Sequence, residues 1–486
     1  PIYKVGKVTG DKKFKVIDKK NNIETINLDL DSLFGDAPKK IITDITKTSI
    51  FSDLEYDTSK VYEYVENVLM LEAVACKDWL TNKVDRCVTG RVAQQQTVGE
   101  IQIPLANCGV VSLDYNTYTG IASSIGHSPV SGLIDPSIGS INSIGESLTN
   151  IIWAPLENGI KSVSLSANWM WPCGNEGEDS RLYKAVQACS EFAIDLGINI
   201  PTGKDSLSMV QKYDGLKVKS PGTVIISASG HCNDIRKIVK PVLDKNSGDL
   251  YYINLSFDDY KLGGSSFAQT LNKIGSDSPD IKNPFKFKES FNLVQNLIYK
   301  NNILSGHDIS SGGLITCLLE MCFSSNNIGL DIDLSNLGCS DSSKLIFSEN
   351  SGIIIQSNID LEKEFSFIDV KCFRIGNTNN KGVLNIKNFE NNFSFNINKY
   401  RDVWYSTSKD FDLKQTKNNK AIERFNNYKN QPLEYIFPDG FNGNNTSDNS
   451  NKKIKAAIIR EKGSNSEREM ACLLYTSDAA DDTLCV

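Results

Sequence analysis

Apolar and polar positions change their period several times along the chain, and each change marks an element. Residues 1 to about 40 alternate, as in Phe14-Lys15-Val16-Ile17, and end in the loop signal Phe34-Gly35-Asp36-Ala37-Pro38, which predicts a hairpin. Residues 41–60 read as a polar linker. From 61 the period becomes helical, with Val61, Val65, Val68 and Leu69 on one face. A dense block follows over 61–230, with strands expected at 103–112, 161–167 and 222–230. Its best helix spans 180–196, placing Leu182, Val186, Cys189, Ala193 and Leu196 on one face. Asp179 or Ser180 would cap it and Gly197 would end it. A second block over 246–397 alternates strands (251–255, 352–356) with helices (291–299, 314–323). Residues 402–452, rich in Asn, Lys and Asp, read as a linker. Then 454–459 gives a short buried-strand signal, Gly463-Ser464-Asn465 a loop, and Glu467-Arg468-Glu469-Met470 a helix start. That order opens an α/β unit.

Composition narrows the class. With 486 residues the chain is long enough for about three structural units and large cores. The net charge of -7 argues against nucleic acid or an anionic membrane as partner, so any bound anion must meet a local site. No 18-residue apolar run predicts a membrane span, and no signal peptide is visible. Twelve cysteines are scattered without a CxxC pair, which suits buried reduced thiols in a cytoplasmic protein. Pro1 opens directly into strand-like text, so the chain is expected to continue upstream. The last residues, 472–486, break the pattern and are expected to be a non-native tail.

Four stretches could carry chemistry. In Gly145-Glu146-Ser147-Leu148-Thr149-Asn150, Glu146 and Asn150 stand four apart. On a helix they share a face, suiting either Mg²⁺ or a solvated surface. In His307-Asp308-Ile309-Ser310-Ser311-Gly312-Gly313, two glycines permit a tight turn before an apolar helix. That is either a phosphate-binding helix start with Asp308 holding a metal, or an ordinary cap by Asp308 or Ser310. Thr202-Gly203-Lys204-Asp205-Ser206 has Lys and Ser after Gly but lacks the upstream glycine of a Walker A loop, so a polar loop between strands competes with a phosphate loop. Leu262-Gly263-Gly264-Ser265 offers backbone donors or a simple turn. Of three histidines, His307 beside Asp308 is the one placed near a site.

Taken in order, these motifs resemble the second half of the synthetase core of the large, single-chain phosphoribosylformylglycinamidine synthases. The resemblance also rests on Asp85-Arg86-Cys87-Val88-Thr89-Gly90, Ser124-Ile125-Gly126, Leu165-Ser166-Ala167-Asn168-Trp169-Met170, Gly177-Glu178-Asp179 and Arg460-Glu461-Lys462-Gly463-Ser464-Asn465. It covers residues 1–471. It implies an α+β fold with domains like the N-terminal and C-terminal domains of aminoimidazole ribonucleotide synthetase, followed by a truncated α/β class I glutaminase start. Residues 1–40 would end the first-half C-terminal-type domain, 61–230 form the N-terminal-type domain, 246–397 the C-terminal-type domain, and 454–471 open the glutaminase.

The family consumes ATP and glutamine-derived ammonia to convert formylglycinamide ribonucleotide to formylglycinamidine ribonucleotide. Its catalytic histidine lies in the first half, so no catalytic residue is expected in this stretch. The second half of the family's core holds an auxiliary nucleotide, ATP or ADP, with Mg²⁺. Carried over by motif, Lys77, Ser310, Gly312 and Gly313 would meet the nucleotide. Glu146, Asn150 and Asp308 would hold the metal, with Asn107 at a position where the family has Asp. Gly203, Lys204, Asp205 and Ser206, and Gly263, Gly264 and Ser265, would be substrate or phosphate loops. The competing readings are a non-catalytic nucleotide-binding module and another ATP-dependent enzyme of the same fold.

Overall fold

A computed structural model describes residues 2–36, 39, 41–48, 50–81, 86, 90–430, 436–441 and 456–476. Asp85, Cys87, Val88 and Thr89 of one motif, and the tail 477–486, lie outside the described residues. The chain divides into two units, Pro1–Leu433 and Glu434–Val486.

The first unit opens with the expected hairpin, Lys13–Asp18 antiparallel to Ile23–Asp29. It then builds two large sheets. The first runs in the order Val92–Gln94, Gly109–Ser112, Gly120–His127, Thr223–Cys232, Val163–Met170, Asn199–Ser206. Of the strand expected over 103–112, only Gly109–Ser112 forms, because Ile101, Ile103 and Leu105 are buried in an irregular segment. The second sheet runs Ile303–Ile309, Gly352–Ser357, Asp249–Asn254, Cys372–Asn379, Gly329–Asp333, Val383–Asn388, Asn391–Asn396.

Helix Pro136–Ile151 backs the first sheet. The Asp135 carboxylate accepts from Ser137 N–H at 2.8 Å and Pro136 sits at the first helical position, so the helix start is set locally. Helix Glu178–Leu196 packs beside it and ends at Gly197, which takes a left-handed conformation. Neither Asp179 nor Ser180 caps its start. The N-cap is Gly177, which has no side chain to cap with, and Asp44 supplies the acceptor instead. The buried face is partly the one expected: Cys189, Ala193 and Leu196 are buried, with Arg181, Ala185 and Phe192 beside them, while Val186 is exposed.

The two blocks share their cores. Trp153 and Phe192 of the first pack in one cluster with Phe287 and Phe291 of the second. Val61, Val65 and Val68 join Phe323 and Trp404 in the other. Each such buried side chain contributes about 1.5–3 kcal/mol.

Residues 402–430 are not a linker. Helix Ile397–Gln415 continues from the last strand, with the Asn396 side chain capping it through Lys399 N–H at 2.9 Å. Helix Lys420–Asn427 follows. Both fold back on the 61–81 segment: Trp404 Nε1–H donates to Val74 O at 2.9 Å, and Asp78 accepts from Arg424 Nε at 2.5 Å and from Tyr405 Oη–H. The polar composition reflects one solvated face of helices whose other face is buried.

In the second unit, helix Glu467–Thr476 forms and runs across the boundary expected at 471, while 456–459 form no strand. A lone strand has no ladder to join, since its N–H and C=O groups need a neighbouring strand. Among the described residues no helix is long and apolar enough to cross a membrane, and the described cysteines are free and mostly buried.

Candidate functional site

The site is assembled where the long helix of the first sheet meets the edge strand of the second. Glu146 and Asn150 lie one turn apart on helix Pro136–Ile151. The sheet approaches this helix so closely that a Cβ on Gly126 would sit 2.3 Å from Ser143 O. That contact brings His127 N–H within 2.9 Å of Glu146 Oε2. Edge strand Ile303–Ile309 delivers His307 and Asp308. Here Gly306 is required, because a Cβ would lie 2.0 Å from the Trp153 ring, just past the end of the same helix.

Asn107 ties the two sides. Its Nδ2 donates to Gly306 O at 3.1 Å and its Oδ1 faces His307 Nδ1 at 2.6 Å. His307 Nε2 meets Glu320 Oε2 at 2.9 Å. Burial opposes a charged imidazole, but the hydrogen bonds to Asp308 and Glu320 outweigh it and push its pKa up to about 9. Asp308 is buried, and its Oδ2 has no hydrogen-bond partner. Burial pushes Glu146 up to about 8, and the charges of Asp308 and Glu349 add to the shift.

Two hollows flank this cluster. One is a cleft of ≈ 620 Å³ lined by Lys77, Arg86, Asn107 and Asn150. Lys77 Nζ donates to Ala75 O at 2.6 Å and to Glu72 O, and burial lowers its pKa. The other is a polar cavity of ≈ 50 Å³ lined by Glu146, Gly263, Gly264, Ser310, Ser311 and Glu349. Gly312 and Gly313 both take left-handed conformations before helix Gly313–Phe323. Neither Asp308 nor Ser310 caps this helix. Gly312 occupies the cap position, and its N–H goes to Glu349 Oε1. Ser265, by contrast, does cap its short helix, through Ala268 N–H.

One expected loop stands apart. Gly203, Lys204, Asp205 and Ser206 belong to strand Asn199–Ser206 and form no loop. It is an edge strand at the far side of the first sheet from the cleft, and Lys204 Nζ bonds Ser206 Oγ in solvent. Gly203 is needed there for close pairing with Ala167 O. Conversely, Glu349 and Glu320 reach the site without any motif. Glu320 is a single carboxylate in an apolar helix and Glu349 one in a short polar turn, and no spacing singles out either.

The residues present fit a hard cation. Among the described residues no three His, Cys, Asp or Glu side chains are grouped for a metal. The donor set would therefore be two carboxylates, Glu146 and Asp308, with amide oxygens and ligand oxygens, as Mg²⁺ accepts. The unpartnered Asp308 oxygen and the charge crowding at Glu146 both call for positive charge. The Asn107 amide already bonds at both ends, to Gly306 and His307.

Residues 76–231 match the family model described as the FGAR-AT PurM_N-like domain, and residues 255–366 match the AIR synthase related protein, C-terminal domain. The chain is 38% identical to the probable phosphoribosylformylglycinamidine synthase, chloroplastic/mitochondrial, of Arabidopsis thaliana, over 93% of this chain and 33% of that protein. It is 33% identical to the Homo sapiens phosphoribosylformylglycinamidine synthase, over 97% and 37%. The Dictyostelium discoideum enzyme is 35% identical over 98% and 38%. The chain thus spans about a third of the length of these relatives. Among solved structures, T. maritima PurL complexed with FGAR aligns with a TM-score of 0.54 at 11% identity, covering 70% of this chain and 53% of that one. The same protein complexed with ADP aligns at 0.52, with 11% identity and coverage of 70% and 51%. These two likenesses show the fold. Both domain types, in the expected order, and the long matches across eukaryotes place the chain in the phosphoribosylformylglycinamidine synthase family.

Proposed function

We propose that the chain works within an ATP- and glutamine-dependent ligase that converts formylglycinamide ribonucleotide to formylglycinamidine ribonucleotide in purine biosynthesis. Its own contribution is a nucleotide site with Mg²⁺ and the scaffold around it. The observation that carries this reading is the approach of Asp308, on the edge strand of the second sheet, to Glu146 on the helix that backs the first, with Asn150 one turn further on and lining a cleft with Lys77. The names of the relatives, and neighbours of the same fold complexed with FGAR and ADP, support it.

In this reading Lys77 and Ser310 contact the nucleotide, Gly312 and Gly313 set the turn beside it, and Glu146, Asn150 and Asp308 hold the cation. Mg²⁺ would neutralise charge on the phosphate oxygens. Asn107 holds Gly306 and His307 in place rather than ligating. Ammonia derived from glutamine reaches the intact enzyme's active site from a glutaminase whose opening is 454–471. Free, buried cysteines support a reducing compartment, and the cytoplasm is our inference.

The test is the nucleotide content of the purified chain, released by denaturation and resolved by ion-exchange chromatography. ADP or ATP near one per chain supports the site. A folded chain without nucleotide, and without a thermal shift on adding Mg²⁺ and ADP, defeats it. Turnover of formylglycinamide ribonucleotide with ATP and ammonia separates a catalytic chain from a nucleotide-holding module.

A further inference from the structure

Glu349 lies between the short helix Ser342–Phe347 and strand Gly352–Ser357. Its Oε1 accepts two backbone N–H bonds, from Ser266 at 2.8 Å and from Gly312 at 2.7 Å. The donors belong to two separate glycine-rich loops, 262–266 and 310–313. Both loops are built for close approach. Gly264 has φ 74° and Gly312 φ 92°. A Cβ on Gly264 would lie 2.9 Å from Ser131, and one on Gly313 would lie 2.7 Å from the Phe347 backbone. The two loops meet at Glu349 through these N–H bonds, and loop 310–313 also packs against the segment that carries it.

Two N–H groups aimed at one oxygen are what a phosphate oxygen meets in a glycine-rich loop. Here a side chain of the protein takes that position. Burial raises the pKa of this carboxyl, and the Gly312 and Ser266 N–H bonds work against that rise by favouring its ionised form. The same carboxylate lines the ≈ 50 Å³ cavity with Glu146, Ser310 and Ser311.

We propose that Glu349 is a positioning residue, a resident carboxyl group that clamps the two glycine-rich loops together and so fixes Ser310 at the polar cavity it shares with Glu146. Its functional half rests on the nucleotide reading given above; the clamp itself does not. The backbone N–H groups of Ser266 and Gly312 are then occupied before any ligand arrives. Nucleotide phosphates are left to the cation, Lys77 and Ser310.

The experiment uses the full chain with Glu349→Ala and Glu349→Gln. Amide hydrogen exchange is followed at Ser266 and Gly312. Both should exchange about tenfold faster or more in Glu349→Ala. They should be intermediate in Glu349→Gln, whose amide oxygen still accepts. Formate, a free carboxylate, should raise the melting temperature of Glu349→Ala and leave the wild type unmoved. Retained nucleotide should fall in Glu349→Ala and be largely kept in Glu349→Gln. Unchanged exchange at the two amides, or an equal formate shift in variant and wild type, overturns the clamp. Should Glu349→Ala not fold, Glu349→Gln decides: faster exchange confined to the two loops supports the clamp, and unchanged or uniformly raised exchange refutes it. A wild type with both amides protected but no nucleotide would sink the nucleotide reading and leave the clamp standing.

Discussion

Asp44 Oδ2 accepts the backbone N–H of Ser180 at 3.0 Å, while its Oδ1 accepts that of Gly177 at 2.9 Å. A residue far upstream thus caps helix Glu178–Leu196, whose own cap position is a glycine. Lys47 adds an ion pair to Glu176 at 2.8 Å. The segment before residue 60 is therefore anchored, although it has little regular structure.

Asp44→Ala should lower the melting temperature modestly at neutral pH. The Gly177 and Ser180 N–H groups hold the Asp44 carboxyl below its ordinary value of 3.8. A depressed carboxyl stabilises the fold above its unfolded pKa, and the contribution fades as pH falls through the lower folded value. The gap between wild type and Asp44→Ala should therefore be constant from pH 7 to about 5 and close below pH 3.8. Thermal melts across that range check it, and a gap that widens on acidification contradicts the cap.

Trp404→Ala tests the docking of the C-terminal helices on the 61–81 segment. The indole is buried, and its N–H is bonded to Val74 O. Truncation leaves a cavity and an unpaired buried carbonyl, at a cost of about 3–5 kcal/mol. Urea unfolding of the full chain should show that loss in the midpoint. Leu413→Ala, on the exposed side of the same helix, should stay within about 0.5 kcal/mol.

What could be read from the chain, and what could not, follows from the range of each signal. The one-turn spacing of Glu146 and Asn150 was legible because helical period is local, and the chain is helical there. The left-handed turn at Gly312 and Gly313 was legible for the same reason. Glu349 was not, because a single carboxylate gains meaning only when two loops distant in sequence converge on it. Helix Ile397–Gln415 was hidden by its composition. Ile397, Tyr400, Trp404 and Tyr405 do recur at helical spacing, but Arg401, Ser408 and Asp412 are buried among them and dilute the apolar stripe. Lys204 misled in the opposite direction, since its neighbours Gly and Ser suit an edge strand as well as a phosphate loop.

Gly306→Ala should couple two effects that a surface change would separate. The added methyl meets the Trp153 ring, and overpacking of this kind costs about 1–3 kcal/mol. The displaced strand carries Asp308, so nucleotide retention should fall with stability. Trp153→Leu makes room, and the double variant should recover part of both losses. A double-mutant cycle reads the coupling, which is expected to exceed about 0.5 kcal/mol for groups in contact. Strict additivity would mean that the strand does not lean on Trp153.

Glu146→Gln separates the energetic role of the metal set from its structural one. The amide oxygen still accepts His127 N–H, so the turn between sheet and helix is preserved. What disappears is a carboxyl that burial and the nearby charges of Asp308 and Glu349 make costly to ionise unless a cation is present. A buried charge without a partner destabilises, and its removal is neutral or favourable. Without divalent cations the variant should therefore melt at or above the wild-type temperature. With Mg²⁺ and ADP the order should reverse, because the wild type gains stability from binding and the variant loses a hard-oxygen ligand. The fall in affinity should be about tenfold or more. Thermal shift at matched ionic strength measures both halves. A variant less stable in both conditions would make Glu146 a structural carboxylate, and the cation would have to be sought elsewhere.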